Sequence, residues 1–150
     1  MKSYAKLTLL LALTLMLPAL AMAKGYNREK YNFNPEWLLH IGDLEGAEKS
    51  DYPDADWEKV TLPRAHNEDE VFKVDIKHLT DTIAWYRKHF ELAEDVKGCQ
   101  PGSGKRVRVT FGGVYKHARV YINSNHVGSN AYGYTTFTFD ISPFIRPGEN

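Results

Sequence analysis

The chain has one cysteine, Cys99. No internal disulfide can form, so a core must hold by packing alone. No two of its six histidines lie three to five positions apart, and none pairs with Cys99 at a zinc spacing. That pattern argues against a metal centre. A G-x-S-x-G nucleophile turn is missing, and Gly112-Gly113 has no Lys-Ser/Thr behind it to cradle phosphate. No cofactor is therefore expected. Charge bias is missing too: 19 basic residues face 19 acidic ones. Without a basic stripe, nucleic acid and anionic membranes are excluded as partners. Long apolar runs are scarce. Residues 7–20 form such a run, fourteen positions interrupted by Thr8, Thr14 and Pro18, short of the about 20 residues a spanning helix needs.

That run has a context of its own. Lys2 and Lys6 precede it, and Ala21-Met22-Ala23 follows with small residues at both ends. Positive start, apolar stretch and A-x-A site together predict an export signal, residues 1–23, cut after Ala23. The protein is then periplasmic or secreted and leaves the membrane once cut. Cleavage leaves 127 residues, one domain at most, with seventeen basic against nineteen acidic residues and a net charge of −2.

Residues 24–36 are polar, show no period and read as a lead-in. From residue 37 the period is two, not 3.6. In 106–111, Val107, Val109 and Phe111 share a face opposite two Arg and Thr110. In 118–123 the shared face is Ala118, Val120 and Ile122; in 136–141 it is Phe137, Phe139 and Ile141. These are half-buried antiparallel strands. A fourth covers 84–92, with Tyr86, Phe90 and Leu92 inward and Lys88 breaking the face. Weaker strands are expected at 37–41, at 57–62 and, by alternation, at 71–76. Pro63 ends the second of these. Asn123-Ser124-Asn125-His126 predicts a hairpin turn. Residues 98–104, around Cys99, read as an exposed loop. Short strands separated by turn residues indicate an all-β, antiparallel sandwich or barrel. The chain stops on Arg146-Pro147-Gly148-Glu149-Asn150, turn chemistry that normally feeds another strand. The expectation is a sheet truncated at its C-terminal end, with an open edge.

Two groups could carry chemistry. Glu68, Asp69 and Glu70 are three adjacent acids, and a glycosidase needs a carboxyl pair across a cleft. Adjacent acids on a polar loop read instead as a solvated charge run. Exposed aromatics could stack on sugar: Trp85, on the outward parity of its strand, and Tyr132 and Tyr134 beside Gly133. Exposed aromatics also mark domain interfaces. Trp37 and Trp57 are expected in the core.

The chain resembles the N-terminal domain of family 2 glycoside hydrolases, the β-galactosidase, β-glucuronidase and β-mannosidase group. Five ordered segments carry the likeness. Trp57-Glu58-Lys59-Val60-Thr61-Leu62-Pro63 is similar to W-x-x-V-x-L-P, and Trp85-Tyr86-Arg87-Lys88-His89-Phe90 to W-Y-R-K-x-F. Residues 106–114 resemble R-V-x-x-x-F-x-G-V, and 118–128 resemble A-x-V-x-x-N-G-x-x-V-G. Residues 134–141 with Gly148-Glu149-Asn150 resemble Y-x-x-F-x-x-D-I followed by G-x-N.

The likeness implies a jelly-roll, galactose-binding-domain-like sandwich over 37–150, non-catalytic and β-galactosidase-like. In the family an immunoglobulin-like domain and a (β/α)₈ barrel follow, and the barrel carries both catalytic Glu residues. Those two domains are the implied partners, with carbohydrate as a further candidate, and no catalytic residue is carried over. The loop before the W-Y-R-K strand reaches substrate in some members, which adds Asp81 and Thr82 to the sugar-proximal candidates. The chain departs from the family at Thr80-Asp81-Thr82, where Pro-Thr-Gly is common. It departs again at Asn123-Ser124, where Asn-Gly is usual and where Asn125 is expected to supply the left-handed residue. The rival reading is a free-standing exported carbohydrate-binding or interaction module.

Overall fold

The computed structural model describes residues 28–79, 81–92 and 104–150. The expected export signal and Cys99 lie outside the described residues. The chain divides into two units, Met1–Phe33 and Asn34–Asn150. In the first, residues 28–33 carry no regular structure, and the Tyr31 hydroxyl donates to Glu29 at 2.7 Å.

Among its described residues the second unit is all-β apart from two short 3-10 turns. Its strands are β1 (Trp37–Ile41), β2 (Glu58–Val60), β3 (Ala84–Arg87), β4 (Arg108–Phe111), β5 (Ala118–Ile122), β6 (Asn125–Asn130) and β7 (Phe137–Asp140). All pairings are antiparallel: a three-stranded sheet ordered β2-β1-β3, and the pairs β4-β7 and β5-β6.

The alternation read from sequence sets the faces. Trp37 and Leu39 of β1 are buried, and Val60 of β2, opposite Trp37, is buried as well. Trp57, Ala47 and Ile141 complete the buried apolar set among the described residues. In β4, Val109 and Phe111 turn inward while Arg108 and Thr110 stay exposed. Phe111 stacks on Phe137 across the β4-β7 pair at 5.1 Å between ring centroids. β6 meets β7 through an absence of side chain. A Cβ on Gly128 would lie 2.3 Å from the Phe139 ring, so only glycine admits that ring. One extra residue on β6, Val127, makes a bulge where the register shifts between Val120 and Tyr121.

Several expectations change. Residues 71–76 are not a strand. The amides of Lys73 and Val74 both donate to the Glu70 carbonyl, and the Asp75 carboxylate accepts from the Lys77 amide at 3.0 Å, capping a 3-10 turn at Ile76–His78. Local hydrogen bonds win because no neighbouring strand offers a ladder. The strand expected over 84–92 ends at Arg87 and resumes at Phe90, which exchanges both backbone hydrogen bonds with Asn150, at 3.1 and 2.9 Å. Between them, Lys88 turns its ammonium onto the Pro35 carbonyl at 2.6 Å. The closing turn thus pairs with 90–91, and Glu91 bridges Glu149.

The outward parity expected of Trp85 does not leave it exposed. All four residues of β3 are half-buried, so the strand is covered on both faces. The hairpin joining β5 to β6 uses Asn123 (φ 49°) and Ser124 (φ 68°) as its left-handed pair, not Asn125. Two positive φ values in a two-residue loop match the twist of the flanking strands. The Asn123 side-chain amide donates to the Phe144 carbonyl (2.8 Å) and the Asn150 side chain (2.9 Å), which holds it there.

Candidate functional site

Two loops at neighbouring strand ends build an exposed cluster. The loop from β4 to β5 runs through Gly112, Gly113, Tyr115 and Lys116; the loop from β6 to β7 runs through Tyr132, Gly133 and Tyr134. Their backbones approach as closely as glycine allows. A Cβ on Gly133 would sit 3.0 Å from Tyr115 Cα and 3.1 Å from the Lys116 amide, and one on Gly113 would sit 3.1 Å from the Gly133 carbonyl. Side chains brace the second loop. Asn130 donates to the Tyr132 carbonyl (2.7 Å), and the Thr136 hydroxyl donates to the Gly112 carbonyl (3.2 Å).

The side chains this frame presents are aromatic and wet. Tyr134 is 87% exposed, Tyr132 73% and Tyr115 61%. The rings of Tyr115 and Tyr134 meet edge to face, 5.7 Å between centroids at 64°. The Lys116 ammonium lies 5.4 Å from the Tyr115 ring centroid and 3.3 Å from the Asp81 carboxylate. Both members of that ion pair are exposed, so it contributes only about 0–1 kcal/mol to stability.

Of the expected sugar-proximal residues, Asp81 and Tyr134 therefore fall in one linked group, and Tyr132 sits on the same loop as Tyr134. Thr82 is exposed. Trp85 packs against Tyr121 at 6.4 Å, with its indole nitrogen buried and without a partner among the described residues. Tyr115 and Lys116 are absent from the sequence-derived set. Their signal was an aromatic placed just after the Gly112-Gly113 turn, which alternation does not register.

The acidic run is not simply solvated. Arg64 gathers it: its guanidinium lies 3.0 Å from Glu68, 3.0 Å from Asp69 and 3.7 Å from Glu58. The hydrogen bonds that Arg64 donates to Asp69 and Glu68 raise the guanidinium pKa further. Nor do the aspartates with displaced acidity suit a general acid. Burial pushes the Asp54 carboxyl up, but hydrogen bonds from His89 and Arg87 outweigh it and hold the group below the usual range. The Ser142 hydrogen bond, helped by Arg106, holds Asp140 down against the effect of burial. A glycosidase acid requires the opposite shift. Among the described residues, no group of three His, Cys, Asp or Glu could hold a metal ion.

The family model described as glycosyl hydrolases family 2, sugar binding domain, matches residues 48–150. The chain belongs to this family. Among curated relatives, a β-galactosidase of Thermoanaerobacter pseudethanolicus is 38% identical over 123 residues, covering 81% of this chain and 15% of the relative. A β-glucuronidase of Formosa agariphila is 36% identical over 131 residues, covering 81% and 12%. Among solved structures, β-glucuronidase 2 of Bacteroides uniformis, covalently bound to cyclophellitol-6-carboxylate aziridine, superposes with a TM-score of 0.71 at 28% identity, covering 81% of this chain and 13% of that one. The fold is thus an antiparallel β-sandwich, the one of the two architectures left open by the strand pattern that the family resemblance implied. The chain spans less than a fifth of the length of these relatives.

Proposed function

We propose that this chain serves as the non-catalytic sandwich domain of a longer family 2 glycoside hydrolase acting on β-galactosides or β-glucuronides. The carrying observation is the match to the sugar-binding domain over 48–150, set against 15% and 12% coverage of a β-galactosidase and a β-glucuronidase. Its role is to support the catalytic barrel and an adjoining immunoglobulin-like domain. Exposed apolar side chains favour that packing role over solitary life. Phe72 is 98% exposed beside Val71 and Val74, and Ile41 and Ile83 are also exposed where β1 meets β3. Such surface is normally covered.

The test compares two products on nitrophenyl β-galactoside and β-glucuronide: this chain alone, and the full reading frame. Activity is expected only from the second. Hydrolysis by this chain alone overturns the reading.

We also infer export. Lys2 and Lys6, the apolar stretch 7–20 and Ala21-Met22-Ala23 support it. Peptide sequencing of the cell-envelope fraction should find an N-terminus at Lys24. Protein retained in the cytoplasm with Met1 or Lys2 first would count against it.

A further inference from the structure

His89 stands between two carboxylates that come from separate parts of the chain. Its Nε2 lies 2.8 Å from the carboxylate of Asp54, on the loop between β1 and β2. Its Nδ1 lies 3.4 Å from the carboxylate of Glu149, on the closing turn. Both ring nitrogens thus face acceptors. A neutral imidazole has one N–H and one lone pair, so it can serve only one of the two carboxylates, whereas the imidazolium donates from both nitrogens. The neighbouring charges are placed unequally. Arg87 shares Asp54 at 3.1 Å, Lys88 turns away onto the Pro35 carbonyl, and Glu91 lies across the backbone bridge from Glu149.

Loss of a proton from the ring therefore falls on one side. Burial pushes the Asp54 carboxyl up, but the hydrogen bonds from His89 and Arg87 hold it below the usual range, so it stays an acceptor. The shorter contact keeps the remaining N–H on Nε2. The Nδ1 lone pair is then left toward the Glu149 carboxylate, and that contact becomes repulsive. The closing turn is built to move as one piece. The Asn150 side-chain amide donates to the Arg146 and Gly148 carbonyls (3.0 and 2.9 Å), and Arg146 Nε donates to the Glu149 carbonyl (2.8 Å).

We propose that His89 is a proton-operated latch on the closing turn. Protonated, the ring ties residues 146–150 to the loop between β1 and β2. Neutral, it keeps the loop and lets the turn go, leaving the turn to its backbone exchange with Phe90 and to Asn123. Histidine changes charge between about pH 5 and 8. The turn is thus held in mild acid and loosened in mild alkali.

The experiment is a double-variant cycle on the whole chain: wild type, His89→Gln, Glu149→Gln and the pair, each unfolded in urea at about pH 5.5 and about pH 8. At the lower pH the two sites should be coupled about three- to fivefold in the unfolding equilibrium, the upper part of the range for a part-exposed ion pair. At the higher pH the coupling should drop below about twofold, ordinary additivity. Coupling as large at pH 8 as at pH 5.5 would make the contact merely structural and overturn the latch, as would coupling below about twofold at both. Should a variant fail to fold, hydrogen exchange of the wild-type chain decides. Protection of the Phe90 and Asn150 amides, corrected for intrinsic rates, should be higher at pH 5.5, and equal or reversed protection overturns the proposal.

Discussion

The Arg87 guanidinium lies 5.1 Å from the ring centroid of Trp57, which is itself buried. From that position Nη1 donates to the Tyr52 carbonyl (2.8 Å) and the Asp54 carboxylate (3.1 Å). Nη2 donates to the carbonyls of Ala47 (2.6 Å) and Lys49 (2.9 Å). One residue of β3 thereby holds the whole acidic loop between β1 and β2 against the sheet. The planar fork matters, because a lysine offers a point charge where four acceptors are spread over a loop.

Arg87→Ala should lower unfolding free energy by about 2–4 kcal/mol, since it removes charge-assisted hydrogen bonds and leaves Asp54 without one partner. Arg87→Lys should recover less than half of that. Urea unfolding of the chain followed by Trp fluorescence measures both. A loss below about 0.5 kcal/mol for the alanine variant, the range of an ordinary surface substitution, would refute the role.

Gly128→Ala should cost about 1–3 kcal/mol by overpacking against Phe139. Phe139→Leu, which replaces the ring with a smaller side chain, should rescue part of the loss in the double variant. A double-variant cycle without coupling between the two sites would be inconsistent with the contact.

Asn123→Ala should cost about 1–3 kcal/mol, from the two lost amide hydrogen bonds at about 0.5–1.5 kcal/mol each. Asn123→Gly should cost less, because glycine sheds the left-handed strain that any residue with a Cβ carries there. Thermal melts that rank Ala above Gly in stability would contradict the assignment.

Stability should fall in acid. Asp54 and Asp140 both have folded-state values below the ordinary Asp value of about 3.9. Each therefore binds its proton more readily when unfolded. Its contribution is complete above the unfolded value and disappears as pH falls through the lower folded one. Urea midpoints measured downward from pH 5 should decline. Asp54→Asn and Asp140→Asn should each flatten that decline, and an unchanged slope in both would rule out these groups as its source.

Much of this fold was legible because alternation and burial coincide. β1 spans the residues expected, and β4, β5 and β7 fall within the expected stretches, trimmed at their ends. The segment 71–76 misled because alternation alone does not supply a pairing partner, and the Asp75 cap favours a turn. Trp85 misled because parity says which way a side chain points, not what covers that side. The candidate site was half legible. Tyr134 and Asp81 came from loop composition and resemblance. Tyr115 and Lys116 joined them only through the approach of two glycine-containing loops, a long-range contact with no local signature.

The exchange of backbone hydrogen bonds between Phe90 and Asn150 has a kinetic corollary. It brings together positions about sixty residues apart, and that closure has an entropic cost before it gains anything. Inside it, β5-β6 is a tight hairpin and β4-β7 brackets that hairpin, while among the described residues β1 to β3 pair only with one another. Assembly should begin at the Asn123-Ser124 hairpin and end at the 90–150 clasp. In pulse-labelled hydrogen exchange, the amides of β5 and β6 should gain protection first and that of Phe90 among the last.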